Sequence, residues 1–198
     1  MTNNKIFNTI KFIGGANDFM SLPQNNLPEV AFWGRSNVGK SSTINSIFNN
    51  NSVARVSSNP GRTQQINLFV IGNEQAVVAD LPGYGYAKVS KKIAATLYNL
   101  CYNYIHKSRP KIVFLLIDSR RGLMNTDSEV IEALNVIGHR MCIILTKVDL
   151  VSQDMLMQLQ QDLGGLDYLM ISNKSKTGII QLKDKIIDII NERENRRK

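Results

Sequence analysis

The segment Gly34-Arg35-Ser36-Asn37-Val38-Gly39-Lys40-Ser41-Ser42 sets two glycines five apart ahead of a lysine and two hydroxyls, directly after the apolar run EVAFW. Each residue type answers a need of phosphate binding. Gly34 and Gly39 let the backbone curl so that successive N–H groups face one anion. A helix opening near Gly39 adds unpaired amides and the positive end of its dipole. Lys40 supplies a point charge for the β- and γ-phosphates, and the Ser41 hydroxyl can ligate Mg2+. The strand-loop-helix setting of this G-x-x-x-x-G-K-[ST] pattern separates it from a glycine-bearing surface turn.

A phosphate loop alone serves an ATPase, a small-molecule kinase or a GTPase, and later motifs choose among them. Asp80-Leu81-Pro82-Gly83 ends the apolar run QAVVADL. Its aspartate can hold Mg2+ and its glycine N–H can meet the γ-phosphate. Thr146-Lys147-Val148-Asp149 ends the run MCIILTK. Guanine presents two donors on one edge, which one carboxylate accepts together, whereas adenine has no such pair. Asp149 therefore reads as the base-selecting residue, with the Lys147 stem lying over the ring. A helix N-cap is the competing role for Asp149. Ile171-Ser172-Asn173 follows a further strand, where backbone N–H groups can meet the guanine O6. Gly61-Arg62-Thr63-Gln64-Gln65 lies between the first helix and the next strand. Its threonine can ligate Mg2+ and sense the γ-phosphate, in a loop that orders with the nucleotide. The metal set is thus Ser41, Thr63 and Asp80.

These motifs need a scaffold that brings strand ends together. Six β-rich runs, EVAFWG, QINLFVIG, QAVVADL, KIVFLLID, MCIILTK and DYLMIS, alternate with helical stretches from residue 29 onward. Several are almost continuously apolar, as strands covered on both faces are. Helices are expected over residues 39–49, 88–107, 126–137, 152–163 and from 178 to the C-terminus. Asn125-Thr126-Asp127 and Ser152 are the expected N-caps. Ile179, Leu182, Ile186 and Ile190 recur at a spacing that buries one helix face. The pattern predicts an α/β fold of the P-loop NTPase type, with a mostly parallel central sheet of about six strands and helices on both faces. Residues 29–198 form one domain in this reading, and residues 1–28 an irregular N-terminal extension.

Composition limits the rest. The chain's 43% hydrophobic and 20% charged residues suit a soluble domain. No apolar run nears the ~20 residues of a membrane span, and the first residues do not read as a signal peptide, so a cytoplasmic protein without membrane insertion is expected. Cys101 and Cys142 lack metal-ligand or disulfide spacing and read as core thiols. A net charge of +8 and a pI near 9.6 favour polyanionic partners such as RNA. The basic groups are Lys88, Lys91 and Lys92, then Lys107, Arg109 and Lys111, then Arg120-Arg121, and the C-terminal NERENRRK.

Taken together, EVAFWGRSNVGKSS, PGRTQQINLF, DLPGYGYAKVSK, TKVD and ISNKSKTGI resemble the EngB family of bacterial translation-factor-related GTPases over nearly the whole chain. The resemblance implies a Ras-like G domain and a Mg2+-dependent GTPase that cycles between GTP and GDP. It implies a role in assembly of the large ribosomal subunit, in contact with rRNA or ribosomal proteins, and a link to cell division and septation. A monomer is expected. Trp33, Thr43 and the pair Ser58-Asn59 depart from the family's usual residues. Tyr84 stands where signalling GTPases carry the glutamine that orients water. Intrinsic turnover is therefore expected to be slow, with Lys40, Thr63, Gly83 and Asn37 as the catalytic set. Asn37 holds the position at which potassium-activated GTPases coordinate K+; stabilising the loop is its alternative role. Two other readings stay open here: an RNA-binding module whose nucleotide is mainly structural, and a P-loop kinase of small substrates.

Overall fold

The computed structural model describes residues 4–50, 53, 64–85 and 90–192. Thr63 and its neighbours Ser58, Asn59, Gly61 and Arg62, together with Tyr86 and Lys88 and most of the C-terminal basic run, lie outside the described residues. All six apolar runs form strands, and a seventh strand joins them. β1 (Ile10–Ala16), β2 (Glu29–Gly34), β3 (Ile66–Ile71), β4 (Ala76–Asp80), β5 (Ile112–Asp118), β6 (Met141–Thr146) and β7 (Tyr168–Met170) lie in the order β1-β3-β4-β2-β5-β6-β7. From β4 across to β7 all neighbours are parallel. β3 runs antiparallel to both β4 and β1.

Period-two alternation divides the core between the faces of this sheet. Val30, Phe32, Phe114 and Ile144 point into one layer, where α1 (Lys40–Phe48) and α5 (Ile179–Asn191) cover them. Ala31, Trp33, Leu115 and Ile143 point into the other, beneath α2 (Lys91–Ser108), α3 (Asn125–Val136) and α4 (Gln153–Asp162). The expected α5 stripe is the buried one, with Ile179, Leu182, Ile186 and Ile190 all in the core. Phe32 and Phe114 meet at 5.1 Å between ring centroids with no exposure, so Phe32→Ala would cost about 3–5 kcal/mol.

Helix starts follow from their caps. Ser152 accepts from the Met155 N–H at 3.3 Å, as expected for α4. At α3 the cap position falls on Met124, and the Asp127 carboxylate accepts the Met124 N–H at 3.0 Å. Among the described residues no helix is long and apolar enough to cross a membrane.

The irregular reading of residues 1–28 needs correction. Residues 10–16 pair with β3 over six registered positions, with an irregularity between Phe12 and Gly14. Ile6 and Phe7 enter the core beside α1. Tertiary pairing here overrides a weak local pattern, since IKFIGGA holds two glycines and its Lys11 and Phe12 are exposed. β2, β4, β5 and β6 end at Gly34, Asp80, Asp118 and Thr146, and β7 at Met170. Every sequence motif within the described residues thus leaves the carboxyl edge of the parallel sheet, where ligands of such folds bind.

Candidate guanine-nucleotide site

The phosphate loop runs from the end of β2 into α1 and is held by the chain that follows β4. The Ser36 N–H donates to the Tyr84 carbonyl at 2.9 Å, and the Tyr84 N–H donates to the Gly34 carbonyl at 3.2 Å. This contact leaves no room beside Gly83, where an added Cβ would stand 3.1 Å from the Ser36 nitrogen and 3.2 Å from the Gly34 oxygen. Gly39 caps α1 at φ 106°, a left-handed conformation that favours glycine. The Lys40 ammonium pairs with the Asp80 carboxylate, and both side chains are buried. The lysine meant for phosphate and the carboxylate meant for Mg2+ therefore reach one point. Ser41 and Ser42 sit half-buried in the first turn of α1. A hydroxyl and a carboxylate are the hard oxygen donors Mg2+ takes when phosphates complete its shell, so the residues present fit that ion.

Three loops close around the same glycine. A Cβ built on Gly39 would lie 3.6 Å from the Asn173 amide nitrogen and 3.9 Å from Cε of Lys147. Thr146 explains its own presence: its hydroxyl lies 2.7 Å from the Val38 carbonyl and 3.2 Å from that of Ile117, tying β6 to the phosphate loop. Lys147, at φ 60°, donates to the Asn37 carbonyl at 2.9 Å. Val148 donates its N–H to the Ile171 carbonyl at 3.3 Å, which joins the base loop to the loop after β7. Ile171 and Ser172 are buried, and the Ser172 hydroxyl accepts the Ser175 N–H. Asn173 donates to the Thr43 hydroxyl at 3.0 Å, which gives the unusual Thr43 a function. Asp149 is exposed in a short 3-10 turn, Val148–Leu150. Ser152 caps α4, so Asp149 is free of the helix-capping role that competed with base reading.

Asp118 was not singled out by the sequence reading and is central to this geometry. It ends β5 and is buried, yet it collects Lys147 Nζ at 2.7 Å and Arg120 Nη2 and Nε at 2.7 and 3.0 Å. Burial pushes its pKa up, but the hydrogen bonds from Arg120 and Lys147 outweigh that and hold it down at about 2. Its signal was available: like Asp80, it is a carboxylate closing a wholly apolar strand.

Tyr84 turns inward. Its hydroxyl donates to Asp127 Oδ1 at 2.7 Å, and its ring stands edge-on to Trp33 at 5.5 Å. Burial first, then the adjacent Asp127 charge, raises the phenol pKa well above its usual value. Burial also raises the Asp127 carboxyl. A ring so placed cannot orient water at the γ-phosphate. Trp33 donates its indole N–H to the Pro82 carbonyl at 3.0 Å, which explains an indole where a small residue is usual. Cys101 reaches the same carbonyl at 3.6 Å, and both cysteines are buried core thiols. Leu81 is wholly buried. The Arg35 side chain lies beside Gly85 and does not enter the cradle around Gly39, to which Arg35 brings only its backbone. Gln64 is exposed, and Gln65 turns toward β1 and donates to the Asn67 amide oxygen at 2.9 Å.

Comparison with known proteins agrees with this geometry. Residues 29–147 match the family described as 50S ribosome-binding GTPases. A Rickettsia bellii (strain OSU 85-389) protein named a probable GTP-binding protein EngB is 42% identical over 195 residues, covering 94% of this chain and 92% of its own. A Caulobacter vibrioides protein of the same name is 46% identical over 141 residues, covering 71% and 61%. The crystal structure of a probable GTP-binding protein engB shares the fold at a TM-score of 0.66 and 22% identity, covering 83% of this chain and 99% of that one. With its three loops gathered around a guanine-nucleotide cradle, the chain belongs to the EngB family of GTP-binding proteins and is a G-domain GTPase.

Proposed function

We propose that this GTPase is a Mg2+-dependent cytoplasmic switch that acts as a monomer in assembly of the large ribosomal subunit. The observation that carries the nucleotide part is the convergence of Asn173 and Lys147 on Gly39, with Lys40 and Asp80 at the phosphate end. Mg2+, when bound, would neutralise charge on the β- and γ-phosphates. Ser41 and Asp80 would hold it, with Thr63 completing the set. Lys40 and the loop amides fix the phosphates, Asp149 accepts the two guanine donors, and the Lys147 stem covers the ring. Gly83 meets the γ-phosphate through its N–H, while Tyr84 stays on Asp127 and leaves water unaligned, so turnover by the isolated protein is slow.

K+ fits the Asn37 position. Lys147 takes the Asn37 backbone carbonyl, whereas its exposed side chain has no hydrogen-bond partner among the described residues. Hydrolysis in KCl should exceed that in NaCl at equal ionic strength; equal rates would remove the cation from the mechanism.

The ribosomal part is supported by the +8 charge, by exposed Lys91 and Lys92 opening α2 close behind the Asp80-Gly83 motif, and by the matched family's description. Cosedimentation with large-subunit precursors tests it. Binding should fall steeply with salt and be stronger with a GTP analogue than with GDP. Nucleotide-independent binding would favour an RNA-binding module in which the nucleotide is structural.

A further inference from the structure

On the outer side of the phosphate loop, facing the turn after β5, lies a pocket of about 210 Å3. It shares Arg35 to Val38 of the phosphate loop, but none of Lys40, Ser41, Asp80 and Asp149 lines it, so it lies beyond both the phosphate and the base end of the nucleotide cradle. Its walls carry three guanidinium groups, from Arg35, Arg120 and Arg121, together with Ser36 and the carboxylates of Asp118 and Asp127. The two carboxylates are already engaged. Asp118 holds Arg120 and Lys147, and Asp127 holds the Tyr84 hydroxyl and the Met124 N–H. Arg35 stands close enough for its charge to act on Asp127, but Arg35 and Arg121 still have donors to spare. Among the described residues the Arg121 side chain makes no hydrogen bond or ion pair, and Nη1 of Arg35 is buried with no partner. A buried guanidinium nitrogen without an acceptor is costly, and its natural complement is an oxyanion.

We propose that this pocket is a second phosphate site, separate from the nucleotide's own, which takes a phosphate group on Arg35 and Arg121, with the Asp118-bound Arg120 beside them. The arginine fork matches phosphate oxygens bidentately. Two open forks arriving from separate elements suit a tetrahedral anion better than a flat carboxylate, which a single fork satisfies. Arg35 stands on the phosphate loop and Arg120-Arg121 on the β5–α3 turn, so a bound phosphate bridges the two. Exposed Arg121 at the rim leaves the pocket open to solvent. Two sources share the chemistry: inorganic phosphate, which GTP hydrolysis releases next door, and a phosphodiester of an RNA backbone. The site does not depend on the ribosomal reading.

The test uses the full chain saturated with GDP, so that the cradle is filled. Sodium phosphate is titrated against sodium chloride at fixed ionic strength, and hexauridylate is titrated in a separate arm. The readout is the Nε–H resonances of the arginine side chains, assigned with single Arg→Lys variants. A saturable shift of the Arg35 and Arg121 signals is expected in at least one arm, and the responding arm identifies the source. Arg121→Ala should weaken that binding about tenfold, the scale of one charge-assisted hydrogen bond, with GDP affinity unchanged. No saturable shift in either arm, or an equal response in Arg121→Ala, overturns the proposal.

Discussion

Replacing Asp118 by Asn keeps the shape of the side chain and removes the charge that Lys147 and Arg120 share. The loss is not the sum of three full ion-pair hydrogen bonds. Arg120 is 45% exposed, so its pairing is screened and contributes little. Lys147 is 24% exposed and Asp118 only 7%, so their contact at 2.7 Å carries most of the effect. Asp118 is held at about 2 against an ordinary 3.8, and at 1.36 kcal/mol per pH unit that difference corresponds to about 2 kcal/mol. The folded-state pKa is depressed, so this stabilisation is present above the unfolded-state value of 3.8. It is lost as pH falls from about 4 toward 2.

Two measurements follow. Urea unfolding of Asp118→Asn at pH 7 should show a loss of about 2 kcal/mol, narrowing below pH 4 as the parent protein loses the same charge. GDP affinity should also drop. With position 118 neutral, the Lys147 ammonium loses its ion pair and keeps only neutral acceptors, so its stem is held less firmly where it is proposed to cover the base. If half of the lost energy reaches the bound nucleotide, the Kd rises about fivefold. A variant that matched the parent in both stability and GDP affinity would show that Asp118 does not position Lys147.

Other variants separate the remaining roles. Asp149→Asn should exchange guanosine for xanthosine preference, because xanthine carries a carbonyl where guanine has its amine; competition binding with the two diphosphates reads it, and an unchanged preference would contradict the base assignment. Tyr84→Phe leaves Asp127 Oδ1 without its donor and should cost about 1 kcal/mol by denaturant unfolding. Its GTP turnover should stay at the parent level, since the phenol never faces the phosphates; a large fall would place that hydroxyl in the chemistry. Trp33 emission should change more on binding a GTP analogue than on binding GDP, because its indole is bonded to Pro82, next to the Gly83 proposed to meet the γ-phosphate.

Some of this was legible in the sequence for a definable reason. A strand buried on both faces must be apolar throughout, so KIVFLLID and MCIILTK announced β5 and β6 without help from the rest of the chain. The phosphate loop was legible because its chemistry is packed into nine consecutive residues. β1 was hidden because an edge strand has only one partner, and its pairing with β3 joins positions fifty or more residues apart. The polar network was hidden for the same reason: Thr146 reaches Val38 across 108 positions and Lys147 reaches Asp118 across 29.

What local patterns omit is how the motifs hold one another. Thr146, Lys147 and Asn173 are each proposed to face the nucleotide, yet each also bonds to the phosphate loop or α1. The base-reading loops therefore buttress the phosphate loop before any ligand arrives. Asn37, strained at φ 64°, is held there by Lys147, the lysine proposed to cover the base. A perturbation at the base end must then be felt at the phosphate end. The Asp118→Asn variant tests this most sharply, because Asp118 holds the Lys147 ammonium that also reaches the Asn37 carbonyl of the phosphate loop.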